Sequence, residues 1–93
     1  MFVKETISLF EEDLTDAGKF KVISVIVSEK IGLSLDRIDV TRPLSELGAD
    51  SLDQAEVMMI IEDYYGVEMQ EPEYGVASIE FFKKVLDEAL LEA

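Results

Sequence analysis

The sequence predicts an all-α fold, a bundle of three long helices and one short helix, with an extra helix before it. Apolar residues recur at the spacing of one helix face in several segments, and glycines follow two of these segments directly. Hydrophobic residues make up 48% of the 93 residues, enough for a core despite a formal net charge of −13. This length, without an internal repeat, fits one small domain. We therefore expect a helical domain over residues 16–93 and an N-terminal extension over residues 1–15.

The N-terminal extension carries a stripe of apolar residues. They recur at i, i+4, i+7 and i+11, which is one face of a helix; they are Val3, Ile7, Phe10 and Leu14. We expect this helix to cover a second apolar face of the following helix, formed by Val22 and Val25. Two alternatives stay open: a strand, or a frayed tail, because short isolated helices are marginal in water.

The first helix of the domain is predicted over residues 16–30, with Asp16 as its N-cap and Gly32 as its C-cap. Its core-facing residues are Ile23, Ile26, Val27 and Ile31. A long connection over residues 33–47 follows. Regular apolar residues predict that this connection is ordered; they are Leu33, Leu35, Ile38, Val40, Leu44 and Leu47.

Two further long helices are predicted, over residues 51–65 and from 79 to about 91. Gly66 ends the first, and Ser78 is the expected N-cap of the second. The stretch between them, residues 67–77, is expected to be irregular, with one helical turn near residues 73–76. Its expected anchors are Val67, Met69, Tyr74 and Val76. The core-facing residues of the two helices are Val57, Ile60, Ile61, Tyr64 and Tyr65, and then Ile79, Phe82, Val85, Leu86 and Ala89.

The composition excludes several classes of function. With 21 acidic and 8 basic residues, the chain repels nucleic acid and anionic membranes and attracts basic partners or divalent cations. We expect no nucleic-acid partner and no membrane insertion. The absence of cysteine excludes disulfides and zinc–thiolate sites, and the absence of histidine removes the commonest general base and metal ligand. We expect no metal site. The start, Met1-Phe2-Val3-Lys4-Glu5, does not resemble a signal peptide, so we expect a cytoplasmic location.

The segment Leu47-Gly48-Ala49-Asp50-Ser51-Leu52-Asp53 places a serine at the start of a predicted helix. Helix N-termini have unpaired N–H groups and partial positive charge, which suit an attached phosphate. Two capping registers are possible: Ser51 with Gln54, which makes the serine a cap, or Asp50 with Asp53, which leaves its hydroxyl exposed.

A catalytic role for Ser51 has no support in the sequence. No histidine is available to activate it, the G-x-S-x-G pattern is missing, and the neighbouring carboxylates disfavour negative charge on a substrate. A calcium loop starting at Asp50 also fails, because the spacing of ligands and the central glycine are missing. We therefore expect no catalytic residue.

The helix after Ser51 has an acidic face. Residues 43–82 contain neither Lys nor Arg. Like charges three or four residues apart in a helix each cost about 0.2–0.5 kcal/mol, so such a face calls for an explanation. A docking face for basic partners is one explanation, and a merely solvated face is the other. Of the two methionines here, Met58 is expected in the core and Met59 on the surface.

The motif Leu47-Gly48-Ala49-Asp50-Ser51-Leu52-Asp53, followed by an acidic amphipathic helix, resembles the acyl carrier protein family, most of all its stand-alone, fatty-acid-type members. The resemblance covers roughly residues 18–91. It implies that a phosphopantetheinyl transferase esterifies Ser51, next to Asp50, with the 4'-phosphopantetheine arm of coenzyme A. The thiol of the arm then carries acyl chains as thioesters, and the apolar interior receives the chain.

The resemblance also implies how partners are recognised. The partners would be acyl-loading and acyl-processing enzymes with basic docking patches, in fatty acid synthesis or a specialised lipid or polyketide pathway, and the carrier would be a monomer. The recognition residues carried over are Asp53, Ala55, Glu56, Met59, Glu62 and Asp63. Residues 1–14 have no counterpart in the family, and Gln70-Glu71-Pro72 departs from its usual pattern. The rival function is an acidic helical interaction module without covalent modification; a weaker one is a hydrolase using Ser51.

Overall fold

The computed structural model describes residues 11–93, which form three α-helices. These are α1 (Asp16–Ile31), α2 (Ser51–Tyr65) and α3 (Ile79–Glu92). Short 3₁₀ helices lie at Glu11–Leu14, Leu35–Arg37 and Leu44–Leu47. Residues 11–93 contain no strand beyond an isolated bridge between Pro43 and Ser78. The prediction of an all-α fold is confirmed.

The core lies between the three helices. Its fully buried residues are Ile23 and Val27 of α1, Val57 and Ile61 of α2, Ile79, Phe82 and Leu86 of α3, and Leu44 of the connection. These positions follow the predicted apolar stripes. The expectation for Ile60 was wrong, because its side chain is 43% exposed. Ile60 lies with Ile26 at the seam between α1 and α2, where the described residues leave a groove of about 500 Å³.

The N-cap of α1 is Thr15, not Asp16 as predicted. The hydroxyl of Thr15 accepts a hydrogen bond from the N–H of Gly18 (3.0 Å) and donates one to the carbonyl of Glu12 (2.7 Å). Asp16 is therefore the first helical residue, and its carboxylate accepts a hydrogen bond from Lys83 of α3 (2.8 Å).

The residues just before α1 pack closely against the bundle. A Cβ atom on Gly18 would lie 1.7 Å from the carbonyl oxygen of Glu12, so this approach requires glycine. The hydroxyls of Tyr64 and Tyr65 donate to the carboxylate and the backbone carbonyl of Asp13, at 2.7 and 2.8 Å. The bond to Asp13 raises the pKa of Tyr64, and burial raises the pKa of Tyr65.

The predicted N-terminal helix falls largely outside the described residues. Val3, Ile7 and Phe10 lie among residues 1–10, so their expected packing on Val22 and Val25 stays a prediction. Leu14, the last residue of the predicted stripe, is 45% exposed. The division of the chain at residue 15 also stays a prediction.

The connection between α1 and α2 is ordered, as predicted. Gly32 ends α1 in the left-handed conformation (φ 73°). Leu44 is fully buried, and its N–H donates to the carbonyl of Ala77 (2.8 Å), just before the N-cap of α3. Leu35 was expected to face the core but is half exposed, because it opens a 3₁₀ helix on the surface.

The stretch between α2 and α3 holds a turn where a helical turn was predicted. The N–H of Val76 bonds to the carbonyl of Glu73 at 3.4 Å, and no helix forms over residues 67–77. Met69 is buried as expected. Tyr74 is 46% exposed but anchors the stretch through a hydrogen bond from its hydroxyl to Ala49, whereas the side chain of Val76 is 58% exposed. Gly66 and Ser78 cap α2 and α3 as predicted.

Candidate functional site

The loop that leads into α2 is held from both sides. Ala49 is buried, and its N–H donates to the carbonyl of Leu44 (3.0 Å). The carbonyl of Ala49 accepts a hydrogen bond from the hydroxyl of Tyr74 (2.8 Å). Gly48 closes the preceding 3₁₀ helix at φ 111°, a conformation that favours glycine. The position of the next residues, Asp50 and Ser51, is therefore set by buried backbone contacts.

The helix cap is Asp50 and not Ser51. The Asp50 carboxylate accepts from the N–H of Asp53 (2.8 Å), and the Asp53 carboxylate accepts from the N–H of Asp50 (3.1 Å). This reciprocal capping box is the second of the two registers that the sequence allowed. Ser51 is exposed and takes no part in the cap. Ser51 is consequently accessible from the solvent, and its hydroxyl is not occupied by the cap.

The first turn of α2 fits a covalently attached phosphate. An α-helix begins with four N–H groups that lack a partner within the helix. The capping box uses those of Asp50 and Asp53, so the N–H groups of Ser51 and Leu52 are the ones left beside the exposed hydroxyl. The partial positive charge of the helix N-terminus acts at the same place. This arrangement suits a phosphodiester on Ser51 without requiring a side-chain cation.

Gln54 joins the start of α2 to the stretch before α3. Its side chain is 1% exposed, and its Nε2 donates to the carbonyl of Pro72 (2.9 Å). Its Oε1 is buried without a hydrogen-bond partner among the described residues. The sequence pattern suggested Gln54 only as a capping residue, and the contact with Pro72, eighteen residues away, lies beyond what local spacing predicts.

The outer side of α2 is apolar as well as acidic. Leu52 and Met59 are 63% and 57% exposed, and Ala55 is half-buried between them. The surface position expected for Met59 is confirmed, and Met58 packs against the core as expected. Leu52 was not among the predicted site residues. Helical spacing could have identified Leu52 as a surface residue, since it places Leu52 on the face opposite the buried positions 54, 57 and 61.

The acidic residues predicted for recognition differ in what they do within the molecule. Asp53 belongs to the capping box, and Glu62 accepts a hydrogen bond from the N–H of Met69 (2.7 Å). Glu56 forms an ion pair with Lys30 of α1, and this hydrogen bond raises the pKa of Lys30. Asp63 is exposed, and within residues 11–93 its carboxylate has no ion pair or hydrogen bond. The role of these acids toward partners stays a prediction.

Two general properties of the described residues bear on function. Over residues 11–93, acidic side chains do not form a group of three that is arranged to hold a metal ion. Each helix in this part of the chain is too short or too polar to cross a membrane.

A known family model matches most of the chain. The model described as "Phosphopantetheine attachment site" matches residues 21–80, a range that contains Ser51, its cap and all of α2. The prediction of phosphopantetheine as the prosthetic group is confirmed by this match. No solved structure shows a significant match to the chain.

Three similar curated proteins are all named acyl carrier proteins. The chain is 33% identical over 73 residues to acyl carrier protein 2 of the chloroplast from Arabidopsis thaliana, covering 77% of the chain and 54% of that protein. It is 34% identical over 73 residues to the mitochondrial acyl carrier protein of Dictyostelium discoideum, covering 78% and 57%. It is 32% identical over 71 residues to the acyl carrier protein of Guillardia theta, covering 73% and 83%. The chain thus spans little more than half the length of the first two relatives.

These relatives are named as carriers and not as enzymes, which agrees with the predicted absence of catalysis. The family model covers most of α1, all of α2 and the first two residues of α3. The chain belongs to the acyl carrier protein family, whose members share a phosphopantetheine attachment site.

Proposed function

We propose that this protein carries acyl chains as thioesters on a 4'-phosphopantetheine arm attached to Ser51. The observation that carries this proposal is the capping box of Asp50 and Asp53, which leaves the Ser51 hydroxyl exposed at the N-terminus of α2. The arm supplies a thiol that the chain itself lacks, since it has no cysteine. Ser51 acts as an attachment point, and the chain contributes position and electrostatics.

The proposed docking surface is the outer side of α2, defined by Leu52, Ala55, Glu56, Met59 and Asp63. Exposed apolar side chains with carboxylates beside them suit partners with a basic patch around an apolar contact. Asp53 and Glu62 lie beside this surface and add to its negative potential. The proposed partners are a phosphopantetheinyl transferase and the enzymes that load and process acyl chains.

The chemistry of an acyl thioester specifies a class of pathway. An acyl thioester carrier serves fatty acid synthesis or a specialised lipid or polyketide pathway, and we propose one of these. We also propose a monomer, to be checked by sedimentation, and a cytoplasmic location. Because two relatives are named for the chloroplast and the mitochondrion, cell fractionation is the direct test of the compartment.

Intact-mass measurement tests the carrier proposal. The purified protein is incubated with coenzyme A and a broad-specificity phosphopantetheinyl transferase, and we expect the mass of one phosphopantetheine to be added. Ser51→Ala should abolish the gain. The matched control is Ser45→Ala, which removes a hydroxyl from the 3₁₀ helix just before the site and should leave the gain intact.

Two outcomes would contradict the proposal. If the wild-type protein gains no mass while another carrier protein in the same reaction does, the rival function of an unmodified acidic interaction module is favoured. If Ser51→Ala gains the same mass as the wild type, the arm is attached elsewhere.

A further inference from the structure

The acidic side of α2 has a basic neighbour that belongs to another helix. Lys30 lies in the last turn of α1, and its ammonium contacts the carboxylate of Glu56 in α2. Neither α2 nor the rest of residues 43–82 contains Lys or Arg. One carboxylate of the proposed docking surface is therefore already paired within the molecule.

The remaining paired bases among the described residues lie elsewhere. Lys19 and Lys83 bond to Asp87 of α3, and Arg42 pairs with Asp39 and Glu46 in the connection. Among the bases that form ion pairs in residues 11–93, Lys30 is the one that pairs with a carboxylate of α2. Its pKa is raised mainly by the hydrogen bond with Glu56 and further by the charges of Asp53 and Asp50, so it is fully protonated at neutral pH.

The pair between Lys30 and Glu56 is suited to exchange. The two side chains are 31% and 38% exposed, so water reaches both charges. Exposed ion pairs contribute little to stability, and their partners exchange with solvent ions or other charged groups. A second cation can reach Glu56 without entering the core.

We propose that Lys30 is a specificity-determining residue that competes with the basic groups of partner enzymes for Glu56. A partner whose Arg or Lys falls opposite Glu56 must displace Lys30, whereas a partner that uses Asp63 docks without this competition. Lys30 thereby disfavours the first kind of partner relative to the second. The inference rests on the proposed function, because it treats the outer side of α2 as the docking surface.

Loading kinetics with the transferase test the competition, because the proposal makes the transferase a partner whose basic group falls opposite Glu56. The specificity constant kcat/KM for phosphopantetheine transfer is measured at low salt for the wild type, Lys30→Gln, Glu56→Gln and the double variant. Lys84→Gln is the matched control, since Lys84 is an exposed base of α3 and the change in net charge is the same. We expect Lys30→Gln to raise kcat/KM about two- to fivefold above Lys84→Gln, the range that one exposed ion pair provides.

The double variant separates competition from a general charge effect. If Lys30 acts through Glu56, adding Glu56→Gln should remove the gain of Lys30→Gln. The melting temperatures of Lys30→Gln and Lys84→Gln should agree within about 2 °C, which excludes a change in stability as the cause.

The inference would be overturned if Lys30→Gln gained no more than Lys84→Gln, or if its gain persisted in the double variant. Failure of the proposed function would look different, because no variant, including the wild type, would then be loaded at all.

Discussion

At the scale of single residues, two neighbours at the start of α2 have separate tasks. Asp50 and Asp53 satisfy each other's backbone N–H groups, and the hydroxyl of Ser51 stays outside this arrangement. A serine that capped the helix would have to give up its cap when modified. Because the cap is formed by Asp50 and Asp53, an arm attached to the Ser51 hydroxyl would not break either capping hydrogen bond.

This separation predicts different effects of two alanine substitutions on stability. Asp50→Ala should lower the free energy of unfolding by about 1 kcal/mol, because the helix loses its N-cap. Ser51→Ala should change it by less than about 0.5 kcal/mol, as is usual for an exposed position without contacts. Urea denaturation measures both. A larger loss for Ser51→Ala than for Asp50→Ala would mean that the serine caps the helix in solution.

Glu62 and Asp63 are adjacent, but the structure gives them different roles. Glu62→Ala removes the acceptor of the Met69 N–H and should cost about 1 kcal/mol. Asp63→Ala should be neutral or slightly stabilising, because it removes a negative charge near the C-terminus of α2. Chemical denaturation of both variants tests this difference, and equal losses would contradict it. For partner binding, Asp63→Asn is then the cleaner probe, since a substitution of Glu62 also removes the acceptor of the Met69 N–H.

At the scale of elements, the 3₁₀ helix Glu11–Leu14 packs so closely on the first turn of α1 that it restricts the residue type there. Gly18 lies in the first turn of α1, where the backbone of Glu12 passes against it. Gly18→Ala raises helix propensity by about 1 kcal/mol, but its Cβ would overlap a backbone oxygen that cannot simply rotate away. We expect a net destabilisation of about 1–3 kcal/mol, because the 3₁₀ helix must shift. Thermal unfolding measures it, with Lys21→Ala on the exposed side of α1 as the control.

A stabilised Gly18→Ala variant would show that the 3₁₀ helix Glu11–Leu14 does not pack on α1 in solution. In that case the hydrogen bonds from Tyr64 and Tyr65 to Asp13 would also be in doubt.

Local patterns predicted the helices and several of their ends. The physical reason is that helix formation and capping depend on residues within a few positions of each other in the sequence. Gly32, Gly66 and Ser78 were recognised because capping requires particular residue types at particular positions. Asp16 was predicted as the N-cap of α1, but Thr15, directly before it, is also a residue type that caps helices. Only the observed turn decides between the two.

The missed features come from contacts between distant segments. Periodicity shows which face of α2 is apolar, but it does not show that Ile60 falls at a seam that the described residues leave uncovered. Likewise, the exposed ring of Tyr74 reaches Ala49 through its hydroxyl, 25 residues away. The pairing of Lys30 with Glu56 depends in the same way on how α1 and α2 pack against each other.

At the scale of the whole molecule, the paired bases among residues 11–93 lie away from the proposed docking surface, with the exception of Lys30. Lys19 of α1 and Lys83 of α3 meet Asp87 at 2.5 and 2.8 Å, and Lys83 also bonds to Asp16. In a chain of net charge −13, these ion pairs connect α1 to α3, and α2, which contains no Lys or Arg, stays strongly negative. The bases therefore pair with carboxylates on one side of the bundle, and the side that carries the proposed docking surface stays negative.

The stabilisation from the ion pairs of Asp87 with Lys19 and Lys83 should depend on pH. Burial alone would raise the pKa of Asp87, but hydrogen bonds from Lys19 and Lys83 outweigh it and lower the pKa below the model-peptide value of 3.8. A carboxylate with a lowered pKa stabilises the fold above its unfolded pKa and loses this effect as the pH falls through its folded pKa. Asp87→Asn should therefore cost about 1–2 kcal/mol at pH 7, and the gap from wild type should narrow from pH 5 to pH 3.

Urea denaturation across this pH range measures the gap, with Asp63→Asn as a control of equal charge change. A gap of constant size between pH 7 and pH 3 would show that the loss comes from packing rather than from the charge of Asp87.

The central claim is that the arm is attached to Ser51, and peptide mapping of the loaded protein tests it most directly. A glutamate-specific protease cuts after Glu46 and Glu56 and releases residues 47–56, in which Ser51 is the only residue with a hydroxyl side chain. We predict that fragment-ion mass spectrometry finds the added phosphopantetheine on this peptide and nowhere else. Its presence on another peptide, with residues 47–56 unmodified, would contradict the account.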